Sequence, residues 1–291
     1  MVRLVADGAH ALELASARTR PAKRAPVGMA PICWRLGFSR RTVHRDTICR
    51  LLVRVGNGCA NLLDATMVDL DCRRLELDEL WAFVGKKQRN VEAADDPARV
   101  GDTWTYVAVD SETKLVPSFM VGKRDAETTG AFIQDLASRL KNRVQVSTDG
   151  LRMYVEAIEA SFGEYAVDYA QVVKSYEAEA IGPGRYSPPK VTSVEKIPIF
   201  GAALEEHVTT SHVERQNLSV RMGARRYTRL TNAFSKKLEN HIAATALHYA
   251  HYNFVRRHQT LRVSPAMAAG VSTTLWNMDE LLAAATAGVL P

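Results

Sequence analysis

The chain has 291 residues, 46% of them hydrophobic and 24% charged, with a formal net charge of +6. That is enough apolar material for one large core, or a core with a small appendage. No apolar stretch of about 18 residues occurs, which excludes a membrane-spanning helix. The four cysteines, Cys33, Cys49, Cys59 and Cys72, contain no C-x-x-C pair, so they read as free thiols in a reducing compartment, and a zinc knuckle is poorly supported.

The charge is unevenly spread. Residues 18–54 hold ten Lys and Arg against Asp46 alone, and residues 215–262 hold ten against Glu239 alone, which leaves −12 for the rest. Surface charges normally mix signs. Two basic segments around an acidic middle suit a protein that grips a polyanion at both ends and holds a cation in between.

Residues 1–30 lack the apolar stretch of a signal peptide, and their Ala, Arg and Pro content predicts a loose arm. Residues 31–74 are expected to form a helix-turn-helix segment. Within it Ile32 and Leu36 are spaced i, i+4, Gly37 breaks the pattern, Ser39 offers an N-cap, and Val43, Ile48 and Leu51 or Leu52 recur helically. Arg40, Arg41, Thr42, His44 and Arg45 would then decorate the start of a recognition helix that meets DNA. A plain packing hairpin is the alternative.

From Leu75 the texture changes to strands. LELDELWAFVG, TWTYVAVD and LVPSFMVG predict a β-meander, and Pro117, which cannot donate to a ladder, places the third strand at a sheet edge. Asp125 is a good N-cap for a helix whose Phe132, Ile133, Leu136 and Leu140 point inward. Strand VQVSTDG, helix LRMYVEAIEASFG and strand DYAQVVKSY follow. Three meandering strands followed by α-β-α-β is the order of an RNase H-like core. This is an α/β fold with a mixed five-stranded sheet flanked by helices, its first strand central. Residues 177–206, rich in Gly and Pro, read as a long loop. A helix is expected from about Asn232 to Arg257, with Leu238, Ile242, Thr245, Tyr249 and Tyr252 on one face. The core would span 75–272 and a tail 273–291.

Three acids stand out. Asp78 lies amid Leu77, Leu80 and Trp81, where an ionised carboxylate costs free energy unless something pairs with it; its neighbours Glu76 and Glu79 are set aside as bystanders. Asp149 closes the fourth strand, although before Gly150 it is equally a turn residue or helix cap. Glu214 opens SHVERQNLSVRMGARR, whose Val213, Leu218, Val220 and Met222 suit a helix with one apolar side; alone it would be an acid facing the helix dipole. Asp110 is the rival ligand and is read as a hairpin turn residue. Carboxylates from two strands and a helix can converge on Mg²⁺, which prefers hard oxygen ligands. Paired divalent cations about 4 Å apart serve phosphoryl transfer. Left without metal, such a cluster raises at least one of its own pKa values.

Arg221 follows Glu214 by two helical turns, about 10 Å along the same face. Arg225, Arg226, Arg229, Lys236 and Lys237 continue a cationic track suited to phosphates. Asn217, Gln216, His212 and His241 are further candidate contacts, each histidine being as readily a structural residue.

The segments LELDELWAFVGKK, GDTWTYVAVDSETKLVPSFMVGKRD, RVQVSTDG, HVERQNLSVRMGARRYTRLTNAFSKKLENH and HYNFVRRHQTLRVSPAMAAGV closely resemble the DDE transposases of the bacterial IS1 family, over about residues 31–276. The resemblance implies a catalytic and metal-binding triad of Asp78, Asp149 and Glu214, with Arg221 as the basic residue that follows the glutamate. It also implies Mg²⁺-dependent cleavage at element ends, with Mn²⁺ able to substitute, and attack of the freed 3′-hydroxyl on target DNA. Its further implications are a homo-oligomer on DNA, no membrane partner, and a cytoplasmic, nucleoid-associated setting. Many family members carry a Cys-rich zinc-binding segment near the N-terminus, which these four cysteines do not reproduce. Two other functions fit the same residues: a DNA-binding regulator whose core does no chemistry, and an RNase H-type nuclease acting on RNA–DNA hybrids.

Overall fold

The computed structural model describes residues 44–163, 166–177, 190–228 and 232–287, Lys190 by its backbone alone. The arm over residues 1–30, the expected helix around Ile32 and Leu36, the Ser39 cap, Arg40, Arg41 and Arg229 lie outside those residues.

Six strands form one mixed sheet: β1 (Arg74–Val84), β2 (Gly101–Asp110), β3 (Phe119–Gly122), β4 (Val144–Thr148), β5 (Val167–Glu177) and β6 (Lys190–Phe200), in the spatial order β3-β2-β1-β4-β5-β6. The first three are an antiparallel meander, β4 and β5 run parallel to β1, and β6 returns antiparallel to β5. This is the RNase H-like arrangement with β1 in the middle and one strand more than expected. Residues 190–200, read from sequence as part of a loop, are that extra strand. It sits at the sheet edge, and Pro198 falls beside a register shift opposite Tyr169 and Ala170, the two settings in which a strand tolerates proline. Nearly all of β6 is exposed, so it carries none of the apolar alternation that marks a half-buried strand.

Helices α2 (Ala126–Ser138) and α3 (Met153–Phe162) provide the two crossovers. Asp125 caps α2 by accepting from Thr128 N–H at 2.8 Å, and Phe132, Ile133 and Leu136 are buried on the sheet, as their spacing requires. Asp110 accepts from Thr113 N–H and the Thr113 hydroxyl and is the hairpin turn residue expected of it.

Helix α1 (Arg45–Thr66) begins where His44 Nδ1 accepts from Asp46 N–H, five residues past the Ser39 cap expected from sequence. Its Leu52, Val55, Cys59 and Leu63 pack into the common core, and burial pushes the Cys59 thiol up to about 12. Two glycines let it lie backbone-close to its neighbours. A Cβ on Gly56 would stand 2.3 Å from the Ala243 carbonyl oxygen, and one on Gly58 only 1.7 Å from that of Ala285.

Helix α4 (Ser211–Gly223) follows β6, and α5 (Leu238–Ala250) starts six residues later than expected. The stretch before α5 runs beside the end of β1, with Gly85 N–H donating to Ser235 O at 2.9 Å. Beyond α5 the helix widens into a π-turn at His251–Val255. There Asn253 both donates to Val116 O and accepts from Val116 N–H, fixing this end to the β2–β3 connection. A short helix α6 (Pro265–Ala268) leads to α7 (Met278–Thr286). The last helix falls within the expected tail; a capping box between Asn277 and Glu280 starts it, and Leu281 and Ala285 bury it in the core.

Candidate active site

The strand order makes a notch. Pairing between β1 and β4 ends at Glu76 opposite Ser147, so Asp78 on β1 and Asp149 just past β4 stand where the two parallel strands part. Such a crevice at the carboxyl ends of strands, at a change of strand direction, is where open α/β sheets place ligands. Asp78, Glu79 and Asp149 each offer a carboxylate oxygen there, all within 4.8 Å of one another. Among the described residues this is the one His, Cys, Asp or Glu group compact enough to hold a metal ion.

The environments of the three acids differ. Asp78 accepts from Glu79 N–H at 2.8 Å and from Asn217 Nδ2 at 2.8 Å, yet burial pushes its carboxyl up to about 6, with Asp149 and Glu214 adding to the rise. Glu79 points to the opposite face of β1, where its side chain is 1% exposed. Burial pushes it up to about 7, helped by Asp149 and Asp78. Arg124 opposes that rise: Nη2 and Nε lie 3.0 and 3.2 Å from Glu79 Oε2, and Nη2 also lies 3.9 Å from Asp149 Oδ2. The guanidinium rests 4.8 Å from the centre of the Trp104 ring. Asp149, 43% exposed, accepts from Leu151 N–H, so it is at once a turn residue and a wall of the notch.

Glu214 stands on the first turn of α4, outside the 4.8 Å group but close enough for its charge to raise the Asp78 pKa. Its Oε1 accepts from the Thr210 hydroxyl at 2.7 Å and from the Lys174 ammonium on β5. The geometry therefore unites Asp78 and Asp149 directly, adds Glu79, and holds Glu214 at the rim on an ammonium. Hard oxygen donors from four side chains suit Mg²⁺ or Mn²⁺, and nothing in the set favours zinc.

The expected DNA-contacting residues separate by environment. Arg45, Arg225, Lys236 and Lys237 are exposed along a cleft of about 1530 Å³ between α1, the end of α4 and the start of α5. Eight cationic residues line it against Asp46 and Glu239, over a floor that includes Leu52, Phe234 and Tyr252. Arg226 faces the same cleft but is half-buried and donates to Ser235 Oγ at 2.9 Å; Arg221 donates to Tyr227 O at 3.0 Å. Both thereby brace the turn at Arg225–Tyr227. His241 is fully buried against Ser235, and burial holds its ring down at about 4. It is a core residue.

Sequence reasoning passed over Glu76, Glu79, Arg124 and Lys174. A signal existed for each glutamate, since charged residues in an eleven-residue strand of the central sheet cannot all be solvated. The basic pair had none, because Arg124 lies in a short connection and Lys174 on a strand that leaves the sheet's covered part.

No protein family matches the sequence, and no curated protein does. Among solved structures, similar ones are the Mos1 transposase paired-end complex with left transposon end, at TM-score 0.24 and 15% identity over 56% of this chain and 57% of that one. The Mos1 Strand Transfer Complex, at 0.24 and 16%, covers 54% and 47%. The chain thus spans about half the length of these proteins. At such scores the likeness adds nothing to what strand order and side-chain geometry establish.

Proposed function

We propose that the chain is a DDE transposase of the IS1 kind, a metal-dependent enzyme that cleaves DNA at element ends and joins the freed 3′-hydroxyl to target DNA. The observation that carries the proposal is the gathering of Asp78, Glu79 and Asp149 within 4.8 Å at the strand notch, with Glu214 beside them on α4. The sequence resemblance over residues 31–276 supplies the reaction class; the fold alone would not.

In this reading Asp78, Asp149 and Glu214 hold Mg²⁺, or Mn²⁺ in its place. A divalent cation bound there supplies Lewis-acid neutralisation of the charge that builds on the phosphate. Asn217 orients Asp78 through its 2.8 Å hydrogen bond, and Arg124 keeps Glu79 and Asp149 from repelling each other apart. The cationic cleft, with Arg45, Arg225, Lys236 and Lys237, would carry the DNA backbone, and Arg40, Arg41 and Arg229 would extend that track. Residues 31–74 would act as the end-recognising segment, 75–272 as the catalytic core. Joining two ends implies a homo-oligomer on DNA, in a cytoplasmic, nucleoid-associated setting.

The test is strand cleavage on duplexes built from the inverted repeats flanking the coding sequence, in Mg²⁺ and in Mn²⁺. Asp78→Ala, Asp149→Ala and Glu214→Ala should each abolish product while leaving duplex binding intact. Wild-type activity in all three would sink the assignment. Specific binding without any metal-dependent product would identify a regulator instead, and preferential turnover of RNA–DNA hybrid a nuclease.

A further inference from the structure

We propose that Glu76, buried on β1, is a positioning residue: it fixes helix α4, and with it Glu214, at the level along β1 where Glu214 faces the same cation as Asp78. The inference rests on reading Glu214 as a metal ligand.

Glu76 is 2% exposed, and its carboxylate is given over entirely to the start of α4. Oε2 accepts from the backbone N–H of His212 at 2.7 Å and of Val213 at 3.1 Å, while Oε1 lies 2.5 Å from His212 Nδ1. The first amides of a helix have no partner within it and are usually met by the side chain of the N-cap residue. Thr210 occupies that position, but its side chain makes no capping bond; its hydroxyl goes to Glu214 instead. Glu76 thus caps the helix from the sheet, and its negative charge faces the positive end of the helix dipole.

A second tether explains why this cap matters to the site. Glu76 and Asp78 are two residues apart and so share one face of β1, about 7 Å from one to the next along the strand. On α4, Val213 and Asn217 are four residues apart, about 6 Å along the helix axis. The two rises match. Glu76 can therefore hold Val213 while Asp78 accepts from Asn217, with Glu214 between the two contacts. Sliding α4 by one residue would shift it about 1.5 Å and turn it by about 100°, which breaks both tethers and swings Glu214 off the notch. Both Glu76 oxygens are already engaged on α4, so its role is through Glu214 and not as a ligand.

The experiment pairs backbone amide exchange with a Mn²⁺ titration of the full chain, neither of which needs DNA or turnover. In Glu76→Ala, exchange at His212, Val213 and Glu214 should accelerate at least tenfold over the rest of α4, and half-saturation by Mn²⁺ should rise about tenfold. Glu76→Gln keeps one oxygen acceptor, so it should accelerate the same amides only severalfold and recover most of the Mn²⁺ affinity. A folded Glu76→Ala protein with unchanged half-saturation overturns the proposal. So does Glu76→Gln if it damages Mn²⁺ binding as much as alanine does, which would make Glu76 a ligand. Should Glu76→Ala fail to fold, Glu76→Gln decides: unaltered exchange at His212 and Val213 refutes the cap. If the wild-type chain binds no Mn²⁺, the metal reading falls, and with it the positioning of a ligand; exchange then reports only whether the cap exists.

Discussion

The side-chain amide of Asn217 donates to Asp78 Oδ2 at 2.8 Å, so the central strand and the helix that carries Glu214 are joined at the Asp78 carboxylate itself. Even with this bond and a second from Glu79 N–H, burial leaves Asp78 at about 6, against an ordinary 3.8. An ionised Asp78 is therefore under electrostatic strain in the notch.

That strain has a measurable sign. Because the folded-state pKa is raised, the native protein binds a proton at Asp78 more tightly than the unfolded chain between about pH 4 and pH 6. Stability at this group falls as pH rises through that window, and the loss is complete above it. Asp78→Asn removes the charge. In chelator, it should be more stable than wild type by about 1–2 kcal/mol at pH 7.5, a figure discounted for partial exposure. The difference should vanish near pH 4. Urea melts at the two pH values check this, and an Asp78→Asn protein less stable than wild type at pH 7.5 would contradict the strained notch.

Packing of α1 is the second point open to measurement. A methyl group on Gly58 would meet the Ala285 carbonyl oxygen at 1.7 Å, and backbone cannot move aside as a side-chain tip can. Overpacking of this kind costs about 1–3 kcal/mol, occasionally more. Gly58→Ala should lower stability by about 3 kcal/mol, whereas Gly130→Ala, whose Cβ would meet nothing within 4 Å, should leave it unchanged or raise it. Equal melting curves for the two variants would show that α1 does not lie against α7.

How much of this was readable beforehand depends on the physics of each element. The meander and both crossovers followed from period-2 and period-3.6 apolar spacing, which records burial directly, and the central position of β1 from the element order of an RNase H-like core. The extra strand β6 escaped because it is exposed on an edge, where side chains owe nothing to a core. Asp78 could be picked out as an acid within an apolar run, and Asp149 by its place at the end of β4. For Glu79 the sequence signalled only a charge in a central strand; that the divergence of β1 from β4 brings this far-face residue into the notch is encoded by no spacing along one chain. The cap by Glu76 is likewise a tertiary contact spanning 136 residues.

The cationic cleft yields a prediction that separates residues of the same charge. Lys236 is exposed, whereas Arg226 is half-buried and bonded to Ser235. Each phosphate neutralised contributes about 0.9 to the slope of log affinity against log salt. Lys236→Ala should therefore weaken duplex binding and reduce that slope by about one, with no change in melting temperature. Arg226→Ala should do the reverse, lowering thermal stability by disturbing the turn at Arg225–Tyr227. Binding isotherms at several salt concentrations, paired with melting curves, distinguish the two; a common effect of both variants would remove the distinction.

Lys174 provides the sharpest test of how the site is poised. Its ammonium pairs with Glu214 and also lies 3.4 Å from the Thr210 hydroxyl, so in the absence of metal it neutralises the carboxylate that the proposed function gives to a cation. A cation approaching Glu214 must compete with that ammonium. Lys174→Gln removes the competing charge but keeps a polar side chain of similar reach, so half-saturation by Mn²⁺ should fall several-fold. Strand cleavage should not improve in step, since a lysine displaced from Glu214 is free to meet a phosphate of the substrate, and glutamine lacks the charge for that. Tighter metal binding with slower turnover is thus the expected pairing. Weaker Mn²⁺ binding in Lys174→Gln would mean that Lys174 holds Glu214 in its ligating pose, reversing the role assigned to it.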